Sequence, residues 1–189
     1  MISILFFFVN SSLQDYLVKY PDAKYYCAPE AHGLIIKEIR NCGIPYPSNG
    51  IDVLGDQPPS NAWNPKELEH HVFKGYQKLN EVVLFHKSSN TLLTTDLALN
   101  FTDDIIKLKY PQMTPFGIHC ARWLGVYNQI GITKMVGYSL SDKTLARQSL
   151  DTICKWDFKA MGMAHGRPVP ASAGIDVKGQ WKSSWDKLL

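Results

Sequence analysis

Residues 2–9, ISILFFFV, form an unbroken apolar run, the pattern of a strand covered on both faces. Asn10, Ser11 and Ser12 are capping residues, and they predict a short helix over residues 13–19 that Tyr20-Pro21-Asp22 stops. A short strand is predicted at residues 23–28 (AKYYCA). Pro29 suits the first position of a helix that runs to about Arg40, with Ile35, Ile36 and Ile39 on its apolar side. Residues 41–65 hold five prolines and three glycines and read as a long loop, a length usually reserved for function or insertion. Strands follow at 68–73, 81–86 and 91–96, the last two joined by the hairpin-length turn Lys87-Ser88-Ser89-Asn90. A short helix falls within 97–108, longer helices over 116–130 and 142–156, and a strand over 158–164 that ends in His165-Gly166. Residues 178–189 close the chain as a short helix or loop. Strands and helices alternate with no internal repeat and no linker, which predicts a single α/β domain over residues 1–189.

Composition narrows the class. At 189 residues the chain has room for one real core, and 45% hydrophobic with 20% charged residues is ordinary for a globular protein. The net charge of +3 is small and evenly spread, so no nucleic-acid partner is expected. Eight apolar residues fall short of the about 20 that span a bilayer. The opening also lacks the basic region and cleavage site of a secretory signal, so a cytoplasmic protein without a membrane partner is expected. Cys27, Cys42, Cys120 and Cys154 include no C-x-x-C pair and read as reduced thiols. The Asn10 and Asn100 glycosylation triplets carry no weight in that setting.

Polar residues that meet strand ends are the candidate chemistry, because a rigid sheet holds them in place. Asp96 follows one predicted strand, His165 follows another, and His86 ends a third. A carboxylate and two imidazoles are donors for zinc or another divalent ion. Each also has an ordinary structural reading: a helix-capping Asp, a turn His before Gly, a solvated His at a hairpin end. Gly137-Tyr138-Ser139-Leu140-Ser141 begins like a nucleophile elbow, but Ser141 occupies the place of the second glycine. His70 and His71 are adjacent and would face opposite sides of a strand. Neither of the usual glycine-rich phosphate cradles is present.

The segment NEVVLFHKSSNTLLTTDLALNF, residues 80–101, resembles the central hairpin of a sparsely characterised branch of the metallo-β-lactamase-like superfamily. Tyr20-Pro21-Asp22-Ala23-Lys24-Tyr25 resembles the link between an early helix and strand of that branch. Trp156-Asp157-Phe158 through Ala164-His165-Gly166 resembles its closing strand. The resemblance covers most of the chain from about Val9. It implies an αββα sandwich, two mixed sheets face to face with helices outside. Active members hold one or two metal ions, usually zinc or iron, and use a metal-bound water to attack an ester, amide, thioester or phosphodiester. Asp96 matches the metal-bridging carboxylate and His165 the last His ligand. His71 is the nearest match to a further His before the hairpin, and His86 belongs to the branch's own pattern.

The departures define the problem. The superfamily's H-x-H-x-D-H motif should follow the first strand, where this chain has Asn10-Ser11-Ser12-Leu13-Gln14-Asp15. The strands expected before that one are also missing, so the sandwich is expected to be incomplete at the N-terminus. Two functions follow: a hydrolase-type protein with a degenerate metal site at Asp96, His165, His86 and His71, or a non-catalytic member that binds a partner. An incomplete sheet leaves an open edge and apolar surface. A second copy or a partner is therefore expected over residues 2–9. Light scattering on the purified chain should show a dimer or larger species, or poor solubility; a stable, monodisperse monomer would contradict this expectation.

Overall fold

The computed structural model describes residues 12–189 except positions 30, 42, 44, 58–61, 77–80, 110, 113 and 114. The strand expected at residues 2–9 lies outside the described residues. The chain divides into two compact units, residues 1–65 and 66–189.

The first unit is a strand–helix–strand arrangement. Helix α1 (Ser12–Lys19) leads to strand β1 (Tyr25–Cys27), helix α2 (Ala31–Asn41) and strand β2 (Ile51–Val53). β1 and β2 pair in parallel with Tyr26 opposite Asp52, and the amide of Leu54 extends the ladder to the carbonyl of Cys27 at 2.8 Å. α2 buries Ala31, Ile35 and Ile39, spaced four apart as one helical face requires. The Tyr25 hydroxyl donates to the carbonyls of Tyr16 (3.1 Å) and Tyr20 (2.8 Å), closing the open end of α1. The proline-rich stretch is not all loop, because it contains β2. Asn49 Nδ2 anchors it on the Asp22 carbonyl at 2.8 Å.

The second unit carries a mixed four-stranded sheet in the order β3 (Leu68–Val72), β4 (Val82–His86), β5 (Thr91–Asn100), β6 (Ala160–Gly166). The first three strands are antiparallel and β6 joins β5 in parallel. Between β5 and β6 come helices α3 (Asp103–Lys109), α4 (Pro115–Trp123), α5 (Lys134–Ser139) and α6 (Lys143–Ile153). Helix α7 (Val177–Asp186) follows β6. The helix predicted over 116–130 stops at Trp123, because Gly125 (φ 79°) and Asn128 (φ 51°) turn the chain left-handed. The helix predicted within 97–108 begins at Asp103, because β5 runs on to Asn100. The elbow-like Gly137-Tyr138-Ser139 lies in α5, and the Ser139 hydroxyl donates to the Met135 carbonyl at 3.1 Å. It is a helical serine, not a nucleophile on a strand-to-helix turn.

The core joins Leu92, Leu97 and Ala98 of β5 to Leu150 and Ile153 of α6 and to Trp181 and Trp185 of α7, all fully buried. α6 is capped by Asp142, whose carboxylate accepts from the amides of Thr144 and Leu145 at 2.8 and 3.0 Å. Gly75 (φ 84°) lets the chain after β3 press on this helix start, where a Cβ would stand 2.2 Å from the Asp142 carbonyl oxygen.

Among the described residues no helix is long and apolar enough to cross a membrane. Cys27, Cys120 and Cys154 are free thiols. Burial, with a smaller push from the Asp52 carboxylate, raises the Cys27 thiol from 9.0 to about 11. The folded state thus holds this proton more tightly than the unfolded chain, and the stability it contributes is complete below about pH 9 and lost as pH rises towards 11. Urea titrations across that window should show the wild type losing stability relative to Cys27→Ala; parallel curves would remove the effect.

Candidate functional site

The site is made by a defect in β5. Thr94 pairs with Met163 and Leu99 with His165, so β5 spends five residues where β6 spends two. The surplus stretch breaks the strand's alternation, and Leu97 and Ala98 are buried in succession. It also leaves three amides outside the ladder.

Glu81 takes them. The residue stands just before β4 and is 2% exposed. Its Oε1 accepts from the Thr94 hydroxyl and, at 2.6 Å, from the Thr95 amide. Its Oε2 accepts from the amides of Asp96 and Leu97 at 2.9 and 3.0 Å. Burial pushes the Glu81 carboxyl above its ordinary range, and these donors oppose that push. The Leu97 carbonyl, released from the sheet at the same point, accepts from the indoles of Trp181 (2.7 Å) and Trp185 (3.3 Å).

With the bulge fixed on both sides, Asp96 and His165 meet. Asp96 Oδ1 lies 3.1 Å from His165 Nε2, the carboxylate mostly buried and the imidazole partly exposed. Burial raises the Asp96 carboxyl, and the neighbouring His165 lowers it by less. Tyr76 shares this field: burial raises its hydroxyl, a hydrogen bond with Ser139 opposes that, and the Asp96 charge adds to it. On β6, Gly166 (φ 116°) follows His165 and lies against Asn100, where a Cβ would stand 2.3 Å from the Asn100 carbonyl oxygen. The closeness of β5 and β6 at this point therefore requires the glycine.

Asp96 is expected at the end of its strand and His165 just beyond its own; both lie inside them, because β5 and β6 run further than their apolar runs. His86 does end β4, but at the other end of β5, opposite Thr91. The Ser89 hydroxyl donates to Thr91 Oγ1 (2.8 Å), so His86 Nδ1, 2.7 Å from Ser89 Oγ, is the donor of that pair. His86 Nε2 accepts from Ser88 Oγ at 3.3 Å. His86 is thus a clamp of the hairpin turn. His71 lies on β3 opposite Val83, with β4 between it and β5. Sequence reasoning missed Glu81, Tyr76 and the two tryptophans. Glu81 reads as the solvated first residue of a strand, and nothing in the pattern signals the bulge.

A zinc site takes three or four protein donors, with the remaining position open where the ion is catalytic. Asp96 and His165 supply two. Among the described residues no group of three or more His, Cys, Asp or Glu side chains is placed to hold a metal ion. Outside the described residues the sequence offers just Glu30 and Cys42 of those types. This donor set does not fit the metal centre that the fold family implies. What the pair can do is hold a proton between a raised carboxyl and an imidazole, and orient that imidazole towards solvent.

Glu81→Gln should destabilise the protein by about 2–4 kcal/mol, since the amide turns an NH2 donor towards backbone amides and leaves acceptors short. Urea unfolding measures this, and amide exchange at residues 95–97 should quicken in parallel. A change below about 0.5 kcal/mol would show that the carboxylate does not hold the bulge.

The sequence matches no protein-family model and no curated protein. Solved structures do match. The metal-soaked flavodiiron core of Flv1 from Synechocystis sp. PCC6803 aligns with 99% of this chain at a TM-score of 0.61 and 14% identity. A putative diflavin flavoprotein A 5 fragment from Nostoc sp. PCC 7120 aligns with 99% at 0.61 and 11% identity. The DIM-1 metallo-β-lactamase exposed to ceftazidime aligns with 100% at 0.50 and 12% identity. The chain spans 42% of the first of these chains and 67% of each of the other two. At such identities the likeness concerns architecture, and it identifies the chain as an α/β protein of the metallo-β-lactamase fold that covers part of those domains.

Proposed function

We propose that this chain is a hydrolase-type relative of the metallo-β-lactamase fold whose metal site is degenerate, and that it acts by binding instead of by metal-dependent hydrolysis. The observation that supports this reading is the pairing of Asp96 with His165 at 3.1 Å. The two positions that resemble family ligands are engaged with each other, in a chain with no histidine at residues 10–15. A carboxylate–imidazole pair of this kind recognises a polar group by donating or accepting one proton. A second copy or a partner over the apolar run at residues 2–9, if light scattering finds one, would accord with a binding role.

One observation favours a second reading, a working metal hydrolase. Two donors on a single zinc ion, each about 2.0–2.1 Å from it in tetrahedral geometry, stand roughly 3.3 Å apart, close to the separation of this pair. The reading then needs a third donor from a second chain.

Elemental mass spectrometry on tag-free protein purified without chelator separates the two. The wild type should carry well under one metal per chain, and Asp96→Ala and His165→Ala should carry no less. Near one metal per chain, lost in both variants while both stay folded, would overturn the binding reading and establish the second.

A further inference from the structure

The second unit has a concavity whose lining does not include Asp96 or His165. It is a cleft of about 1030 Å³ along α5 and α7 and the turn after α4. That volume is at the upper end of the about 300–1,000 Å³ usual for small-molecule sites. Its walls include Trp123, Gln129, Lys134, Tyr138, Lys143 and Lys187, and its floor includes the buried Ile130 and Ile132.

Three properties give it a chemistry. Two aromatic rings stand in solvent on it, Trp123 at 66% and Tyr138 at 90% exposure. Exposed rings beside a concavity offer flat apolar faces that a ligand can cover. Three lysines face a single acid, Asp176, and its carboxylate is occupied by the Gly179 amide at 2.8 Å as the cap of α7. None of the three lysines forms an ion pair among the described residues. Lys143 Nζ donates to the neutral carbonyl of Leu188 at 2.7 Å, and Lys187 makes no ion pair among the described residues. Lys134 Nζ lies over the Trp123 ring, 5.2 Å from its centroid, which sets a cation beside a flat apolar face.

The walls are also built. Gln129 Nε2 donates to the Gly125 carbonyl at 2.8 Å, and the Gly131 amide and carbonyl pair with Leu99 at 3.0 and 2.8 Å. Gly137 sits close to Leu188, where a Cβ would come within 3.2 Å of Cδ2.

We propose that this cleft binds a small organic anion that carries an aromatic ring, with the ring against Trp123 and Tyr138 and the anionic group at Lys134 and Lys187. The site shares no lining residue with the Asp96–His165 pair, and the proposal stands whether or not that pair holds a metal.

The probe is adenosine 5′-monophosphate, which joins a purine to a phosphate, titrated by calorimetry into the full chain at low ionic strength. Adenosine and inorganic phosphate are titrated separately. The nucleotide should bind saturably, with each half at least about tenfold weaker, and added salt should weaken it. Lys187→Ala changes an exposed side chain and should weaken binding about three- to tenfold; Trp123→Leu should do the same with the urea midpoint kept. Lys159→Ala, outside the cleft, should change nothing. Equal binding of adenosine and the nucleotide, equal binding of phosphate and the nucleotide, no saturation at millimolar concentration, or indifference to Lys187→Ala and Trp123→Leu would each overturn the proposal.

Discussion

Glu81 is a buried carboxylate, and the second unit is arranged around keeping it satisfied. Withdrawing a charged carboxyl from solvent costs several kcal/mol, and a net gain requires donors on both oxygens. β5 supplies them by leaving its ladder with β6 for the stretch after Thr94, so that the amides of residues 95–97 point at the carboxylate. Each such hydrogen bond to a charged group contributes about 1.5–3 kcal/mol. The dependence runs both ways: without Glu81 the bulge would bury three unmade amides, and without the bulge Glu81 would be a buried, unpaired charge.

The same defect also docks α7. A bulge frees carbonyls as well as amides, and the Leu97 carbonyl is claimed by two indoles four residues apart on one helix. Trp181 and Trp185 must therefore stand on the face of α7 that meets β5, and Val177 joins them at the same spacing. Large apolar area and a polar handle reach one point together, which suits tryptophan better than any aliphatic residue. Asp96 owes its position to this arrangement. Its backbone is held by Glu81, its neighbour Leu97 by α7, and its carboxylate is left facing His165 on the strand that Gly166 draws close.

Much of this frame is legible in the sequence and its pivot is not. The runs EVVLFH and TLLTTD announce two strands and their hairpin, and Asp142 announces α6, because period and capping are local signals. Asp96 and His165 are legible as polar residues at the edge of apolar runs. The extension of β5 to Asn100 is not, because Asp96 interrupts the apolar run in mid-strand, a pattern that also reads as a strand end and a cap. Glu81 is hidden for a deeper reason. A charged residue at the start of a strand is solvated unless distant parts of the chain supply donors, and these come from residues 94–97. The stop of α4 at Trp123 did have a local signal in Gly125, whose left-handed backbone ends helices.

The two faces of α7 connect the bulge to the cleft. Val177, Trp181 and Trp185 are buried against the core, while Gln180, Ser183, Ser184 and Lys187 turn outward and line the cleft. A helix cannot shift one face without the other. The indole bonds to Leu97 therefore set the position of the cleft wall as well as the register of the core, and Lys187, one residue past the helix, inherits its place from Glu81 through Leu97 and the tryptophans. Any rearrangement of the Asp96–His165 region that loosened the bulge would move that wall. A site on α7 and the carboxylate–imidazole pair, though lined by different residues, thus depend on one buried glutamate.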